Sequence, residues 1–313
     1  MSLTATPDLE PALDPVGDRA RRLSTASVRR PIEPETDLPW DRLGPGQVIP
    51  DELLSVAGLD LDLTPAQRAR LSREEVASML AMGVHFEAVL TVGFARHIAE
   101  SPDLTDPRIT YMLHEIGEEA NHSRAFVRLI SELGPTTHNP IDRAPVTAVL
   151  HRVARAITNH ETLLLVMTLA GEEIPDLLQR LAVDHPDTDP MVAALNRYHR
   201  QEEARHLSFA RAVLPEAWVR AGTVERAAVR HVAPQLIGLL WQGFVHPGVY
   251  AAADLPTWST FQQVQRLPRR VQLRHEATRP VLTSLIDAGA ITPGRVPKGW
   301  RSLCGVDGYN VPV

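Results

Sequence analysis

The sequence predicts an all-α protein, a four-helix antiparallel bundle with additional helices and an irregular C-terminal tail. Three observations carry this reading. Long stretches of helical periodicity are joined by short, proline-marked turns, and strand-type alternation of polar and apolar residues is hard to find anywhere. Two of the long stretches also repeat one pattern, Glu119-Ala120-Asn121-His122 and Glu203-Ala204-Arg205-His206.

Taken in order, residues 1–39 mix arginines, acids and prolines without apolar periodicity, which predicts a flexible or loosely docked N-terminal arm. Leu43-Gly44-Pro45-Gly46 marks entry to a folded body over residues 40–290. Thr64-Pro65 has the form of an N-cap and first helical residue, and Ser72 with Glu75 has the form of a capping box, so a helix is expected from about Ser72 to Glu100. Asp106-Pro107 opens the next helix, which should stop at Gly134-Pro135 after Leu133. Ala144-Pro145 starts a shorter one. A very apolar helix is expected from about Thr158 to Ala182, and Asp189-Pro190 starts another that should end near Leu214-Pro215. Helical patterning continues over Val224–Phe244 and from about Pro268 to Ala288, whereas residues 291–313, with three prolines and four glycines, read as an irregular tail that wraps the bundle.

Composition narrows the function classes. The chain of 313 residues with 44% apolar content can fill a substantial core. Its single cysteine, Cys304, excludes an intramolecular disulfide or a thiolate cluster and fits a reducing, cytoplasmic setting. A net charge of -6 and 5% aromatics argue against nucleic-acid binding. The N-terminus lacks the basic start and apolar core of a signal peptide, and no run of about 18 apolar residues suggests a membrane span.

The repeated motif points to metal chemistry. An α-helix turns about 100° per residue, so residues three or four apart share a face. Glu119 and His122 therefore project together, as do His199, Glu203 and His206. A lone Glu-x-x-His is weak evidence; two, on separate long helices, are far stronger. Ferritin-like di-iron and di-manganese proteins combine two such pairs with one Glu from each of two further helices, and carboxylate with imidazole suits iron or manganese better than structural zinc. Glu87 supplies one of those acids: it interrupts the apolar segment Val84–Phe94, where an unpaired buried carboxylate would cost several kcal/mol. Glu172 or Glu173 supplies the other, and periodicity does not separate these neighbours close to Pro175. The bland alternative makes both pairs solvated helix faces, and the doublets Glu118-Glu119 and Glu202-Glu203 favour it somewhat. Glu115 mirrors His199 one turn before its motif and reads as a further ligand, a partner of a ligating histidine or a surface charge, the last two favoured. His85, His97, His114, His151, His160 and His231 have no comparable partners and stay outside the site.

With these residues assembled, the chain resembles the para-aminobenzoate N-oxygenase family of non-haem di-iron oxygenases over roughly residues 70 to 245. Tyr198-His199-Arg200-Gln201-Glu202-Glu203-Ala204-Arg205-His206 is similar to that family's fourth ligand helix, extra histidine included. The resemblance implies a ferritin-like bundle with a metal set of Glu87, Glu119, His122, Glu172, His199, Glu203 and His206, and its spacing favours Glu172 over Glu173. Glu119 and Glu203 would bridge two Fe ions, with Mn/Fe as the alternative; Glu87 and His122 would complete one, Glu172, His199 and His206 the other. It implies O2 as co-substrate, an aryl amine as the small-molecule substrate, an external electron donor and a homodimer. Glu115 departs from the family's pattern. Two other readings stay open: a ferritin-like oxidase or metal-storage protein, and a helical interaction protein without metal.

Overall fold

The computed structural model describes residues 14–29, 31–140 and 142–307. Among them are twelve α-helices and no strand. Short helices α1 (Pro15–Arg29) and α2 (Pro34–Asp37) precede the two long helices α3 (Pro65–Glu100) and α4 (Pro107–Leu133). The short α5 (Ala144–Thr158) leads into the second long pair, α6 (Glu161–Asp184) and α7 (Pro190–Arg220). Then follow α8 (Thr223–His231), α9 (Ala233–Gly243), α10 (Thr257–Arg266), α11 (Pro268–Asp287) and α12 (Lys298–Cys304). α3 packs along α4 and α6 along α7, and the two hairpins meet through α3–α6 and α4–α7 contacts. With the crossover between hairpins running through α5, this is a ferritin-like bundle.

Local chemistry sets the ends of these helices. Thr64 and Gln67 form a reciprocal capping box at the start of α3. The Asp106 and Asp189 carboxylates accept from the backbone N–H groups of Arg108 and Met191, capping α4 and α7. Gly134 ends α4 at φ 62°, in the left-handed region that a side chain would oppose.

Several expectations need correction. α3 begins at Pro65 and not at Ser72. The Ser72 hydroxyl, inside the helix, donates to the Ala69 carbonyl and accepts from the Val48 N–H, and Glu75 accepts from Ser55, so neither caps anything. α7 runs through Pro215 to Arg220, because burial of Ala217 and Trp218 outweighs the one backbone bond that proline removes. The stretch 224–244 breaks at Val232, just before Pro234, and α10 had no clear sequence signal. From Pro15 the expected arm is a docked helix: Val16 and Ala20 are buried, Asp14 pairs with Arg108 at 2.8 Å, and α1 lies against α4 and α7. The segment after α1 is tied to α4 by Arg124, which pairs with Glu33 and Glu35, and by Arg128 over the Trp40 ring. Residues 1–13 of the arm lie outside the described residues. The tail expected to be irregular contains a helix, for α12 inserts the fully buried Trp300, whose indole N–H donates to the Val229 carbonyl. Residues 308–313 lie outside the described residues.

α3 also contains an 18-residue window apolar enough to cross a membrane. Here it is a bundle helix, with Glu74, Glu75 and Glu87 turned inward and buried.

The buried apolar residues form two clusters. On α4, Ile109–Met112 belong to one and Ala125–Leu133 to the other; on α7 the order reverses, Met191–Tyr198 lying in the second and Leu207–Ala221 in the first. The reversal reflects antiparallel helices. At the seam between the clusters, the middle of each helix contributes a polar layer.

Candidate metal centre

That layer is built from side chains whose helical spacing turns them inward. Glu115, Glu119 and His122 of α4 and His199, Glu203 and His206 of α7 are all buried, with Glu87 of α3 and Glu172 of α6. Four groups bring their ligand atoms within 4.8 Å of one another: Glu87, His122 and His199; Glu119, His122 and Glu203; Glu172, His199 and Glu203; Glu115, Glu119 and His206. All seven residues expected from the sequence therefore converge. So does Glu115, which is fully buried and no surface charge. On α6, Glu172, which the resemblance favours, faces the cluster, whereas Glu173 pairs with Arg211.

Both histidines of the repeated motif turn Nδ1 inward. His122 Nδ1 lies 3.4 Å from Glu119 and 3.2 Å from Glu203, and His206 Nδ1 lies 3.0 Å from Glu203 and 3.3 Å from Glu119. Their outer nitrogens are held crosswise. His122 Nε2 meets Glu202 of the opposite helix at 2.9 Å, and His206 Nε2 meets Glu118 at 2.8 Å. Arg205 ties the two supports together, reaching Glu118 at 2.7 Å and Glu202 at 3.3 Å. The doublets that sequence reading counted towards solvated faces are thus the structural backing of the histidines. Their visible signal was that each doublet puts an acid four residues before the histidine of its own helix; the exchange of partners between helices had none. Sequence reading also missed two smaller supports. Ser123 donates to Glu87 at 2.6 Å, and Gln179 lies 3.1 Å from His199 Nδ1, so that His199 presents Nε2 to Glu87 and Glu203 at 3.4 Å each.

The electrostatics are those of a site short of positive charge. Burial pushes Glu172 well above the usual carboxylate range, aided by repulsion from Glu203 and Glu119, and burial raises Glu87 as well. Burial likewise holds Glu115 up at about 8. Against the same burial, Glu203 is drawn down by His206 and His199, and Glu119 by His206 and His122. Burial alone would lower both histidines, yet Glu119, Glu202 and Glu203 lift His122 to about 10, and Glu203 and Glu115 raise His206 well above its usual value. Glu118, also opposed by burial, is pulled to about 2 by His206 and Arg205. Protons here occupy a charge deficit that divalent cations would fill more completely. Oε1 of Glu119, Glu172 and Glu203 and both oxygens of Glu115 are buried without a hydrogen-bond donor, an arrangement costly in a protein interior. These orphaned oxygens and inward Nδ1 atoms fit a cation pair held by carboxylate and imidazole, of the kind iron and manganese accept.

A cavity of about 120 Å³ opens onto this layer, touching Glu87, Glu172 and His199. That is roughly ten times the space one water needs. Its walls are mostly apolar and include Met79, Phe86, Phe126 and Leu178. Its other polar lining includes Glu75, Ser55 and Arg270. Glu75 accepts from the N–H and hydroxyl of Ser55, and Arg270 stacks over Trp241 at 4.2 Å.

The comparisons with known proteins meet this geometry. Uncharacterised proteins of Mycobacterium bovis and of two Mycobacterium tuberculosis strains are each 27% identical over 307 residues, covering 91% of this chain and 86% of their own length. A family model described as P-aminobenzoate N-oxygenase AurF matches residues 16–289. Since that match runs from the first turn of α1 to just past the end of α11 and takes in all four helices that supply the polar layer, the chain belongs to the p-aminobenzoate N-oxygenase AurF family.

Proposed function

We propose that this protein is an O2-dependent di-iron oxygenase that oxidises a small organic substrate, with N-oxygenation of an aryl amine as its reaction. The observation that carries the reading is the convergence of Glu87, Glu119, His122, Glu172, His199, Glu203 and His206 in one buried layer with an apolar cavity at its edge. Family membership supplies the reaction class.

A pair of irons, when bound, supplies the activation of O2 with electrons from an external donor. The chain's own residues set geometry and access. Glu119 and Glu203, central in the cluster, each approach both His122 and His206 and would be shared by the two ions. As the resemblance implies, Glu87 with His122 would hold one ion and Glu172 with His199 and His206 the other; His199 also stands 3.4 Å from Glu87. Glu118 and Glu202 hold the two Nε2–H groups, which leaves each Nδ1 lone pair for a cation. Substrate enters on the side of Glu87, Glu172 and His199, because the cavity meets the layer there. Phe86, Met79 and Leu178 give a ring a dry surface and keep bulk water from the reacting atom. At the cavity wall Arg270, whose Nε–H has no acceptor, and Glu75 offer a polar group of the substrate its hydrogen bonds.

Metal analysis combined with turnover tests the reading. Protein expressed in iron-replete medium should hold about two irons per chain, and the reduced protein exposed to O2 with an aryl amine should yield the N-oxygenated product. Glu119→Ala should lose both properties. Trace iron in the parent, or a Glu119→Ala variant indistinguishable from it, would refute the assignment; bound iron and O2 consumption with no oxidised amine would favour an oxidase.

A further inference from the structure

We infer that Glu115 is an eighth metal ligand, giving a carboxylate oxygen to the cation held by Glu119 and His206; this rests on the metal-binding reading above. Nothing in the repeated motif demands an acid here. Four features of the structure point to a ligand. Glu115 has no solvent exposure. Both of its carboxylate oxygens lack a hydrogen-bond donor, unlike Glu118 and Glu202, whose oxygens meet His206, His122 and Arg205. One of its oxygens lies within 4.8 Å of ligand atoms from Glu119 and His206. Finally, its place on α4 is that of His199 on α7, four residues before the central glutamate, and His199 stands against Glu87 and Glu203 just as Glu115 stands against Glu119 and His206.

The two motif helices therefore each add a donor at matching positions, an imidazole from α7 and a carboxylate from α4. A group that supported His206 from behind would sit at Nε2, and Glu118 already occupies that place at 2.8 Å. Glu115 instead groups with Glu119 and His206, and Glu119 lies 3.3 Å from the inward Nδ1 of that ring. A fifth carboxylate also makes the set harder and more anionic, which favours the oxidised state of the ion at that end.

Metal-free wild-type protein, Glu115→Gln and Glu118→Gln, titrated anaerobically with Fe(II) and in parallel with Co(II), provide the test. Glu115→Gln should weaken the binding of one of the two ions by about tenfold or more, and the Co(II) absorption spectrum and metal-edge data should show one oxygen donor fewer. Glu118→Gln should weaken binding while keeping the number of donors. If Glu115→Gln fails to fold without metal, Glu115→His should still bind two ions, with a nitrogen donor replacing an oxygen. Wild-type affinity and an unchanged Co(II) spectrum in Glu115→Gln, or in Glu115→His where the Gln variant does not fold, would overturn the inference and leave the di-iron reading intact. A wild-type protein that binds neither ion would overturn both.

Discussion

Each motif histidine is held from behind by a carboxylate from the opposite helix, and this sets what its other nitrogen can do. An Nε2–H that donates to Glu202 or Glu118 fixes the tautomer and ring plane, leaving the Nδ1 lone pair directed at the centre. Glu118→Ala and Glu202→Ala should each lower iron affinity about 10- to 100-fold without removing a ligand. Arg205→Met should weaken both ends together, because one guanidinium braces both carboxylates. Isothermal titration with Fe(II) under argon would measure this, and an Arg205→Met variant with wild-type affinity would show that the histidines are oriented without it. At this scale the sequence was readable for residues whose spacing along one helix defines a face: Glu119 with His122, and Glu203 with His199 and His206. It was silent where two helices trade partners, as Glu118 and Glu202 do, because that exchange depends on the interhelical distance. Periodicity likewise did not separate Glu172 from Glu173; the spacing of the resemblance favoured Glu172, and the orientation of α6 puts Arg211 beside Glu173.

Helix length and contact decide how close the four ligand helices stand. α3 and α6 approach at small residues: a Cβ built on Gly171 would lie 1.8 Å from the Phe86 ring, and one on Gly93 would lie 2.5 Å from Leu164. Gly171 is next to Glu172, and Phe86 is next to Glu87 and lines the cavity. Gly171→Ala must therefore displace the Phe86 ring. The expected outcome is a loss of about 1–3 kcal/mol in unfolding free energy together with a raised KM for any substrate that fills the cavity, checked by denaturant unfolding and steady-state kinetics. Unchanged stability would mean that the ring turns aside at no cost. Element ends were legible wherever a cap is written locally, at Asp106-Pro107, Gly134 and Asp189-Pro190. They were misread where tertiary packing overrides a local signal. Pro215 stays inside α7 because Ala217 and Trp218 are buried beyond it. α1 carries only a narrow apolar stripe in an arginine-rich segment and α12 is seven residues long, and both dock because Val16, Ala20 and Trp300 find covered places on the bundle.

Across the whole molecule, buried acids outside the metal layer link stability to pH. Glu75 is the clearest case: it is 1% exposed, accepts two bonds from Ser55, and is raised by burial from 4.5 to about 7. Between those two values the native protein keeps a proton that the unfolded chain has released. The unfolded state is thus favoured progressively as pH rises through this window, and the contribution is constant on either side of it. At about 1.4 kcal/mol per pH unit, the shift costs the folded state roughly 3 kcal/mol once the carboxylate is ionised. Glu75→Gln removes the titration while retaining a group that accepts from the Ser55 N–H and donates to its hydroxyl. Measured on metal-free protein, the stability of Glu75→Gln relative to wild type should therefore rise by up to about 3 kcal/mol from pH 4.5 to pH 7 and then level off. Subtracting the two denaturation series cancels the titrations the proteins share, including those of the metal layer. A difference that falls with pH would mean that the Ser55 bonds to the ionised carboxylate outweigh the cost of burying its charge.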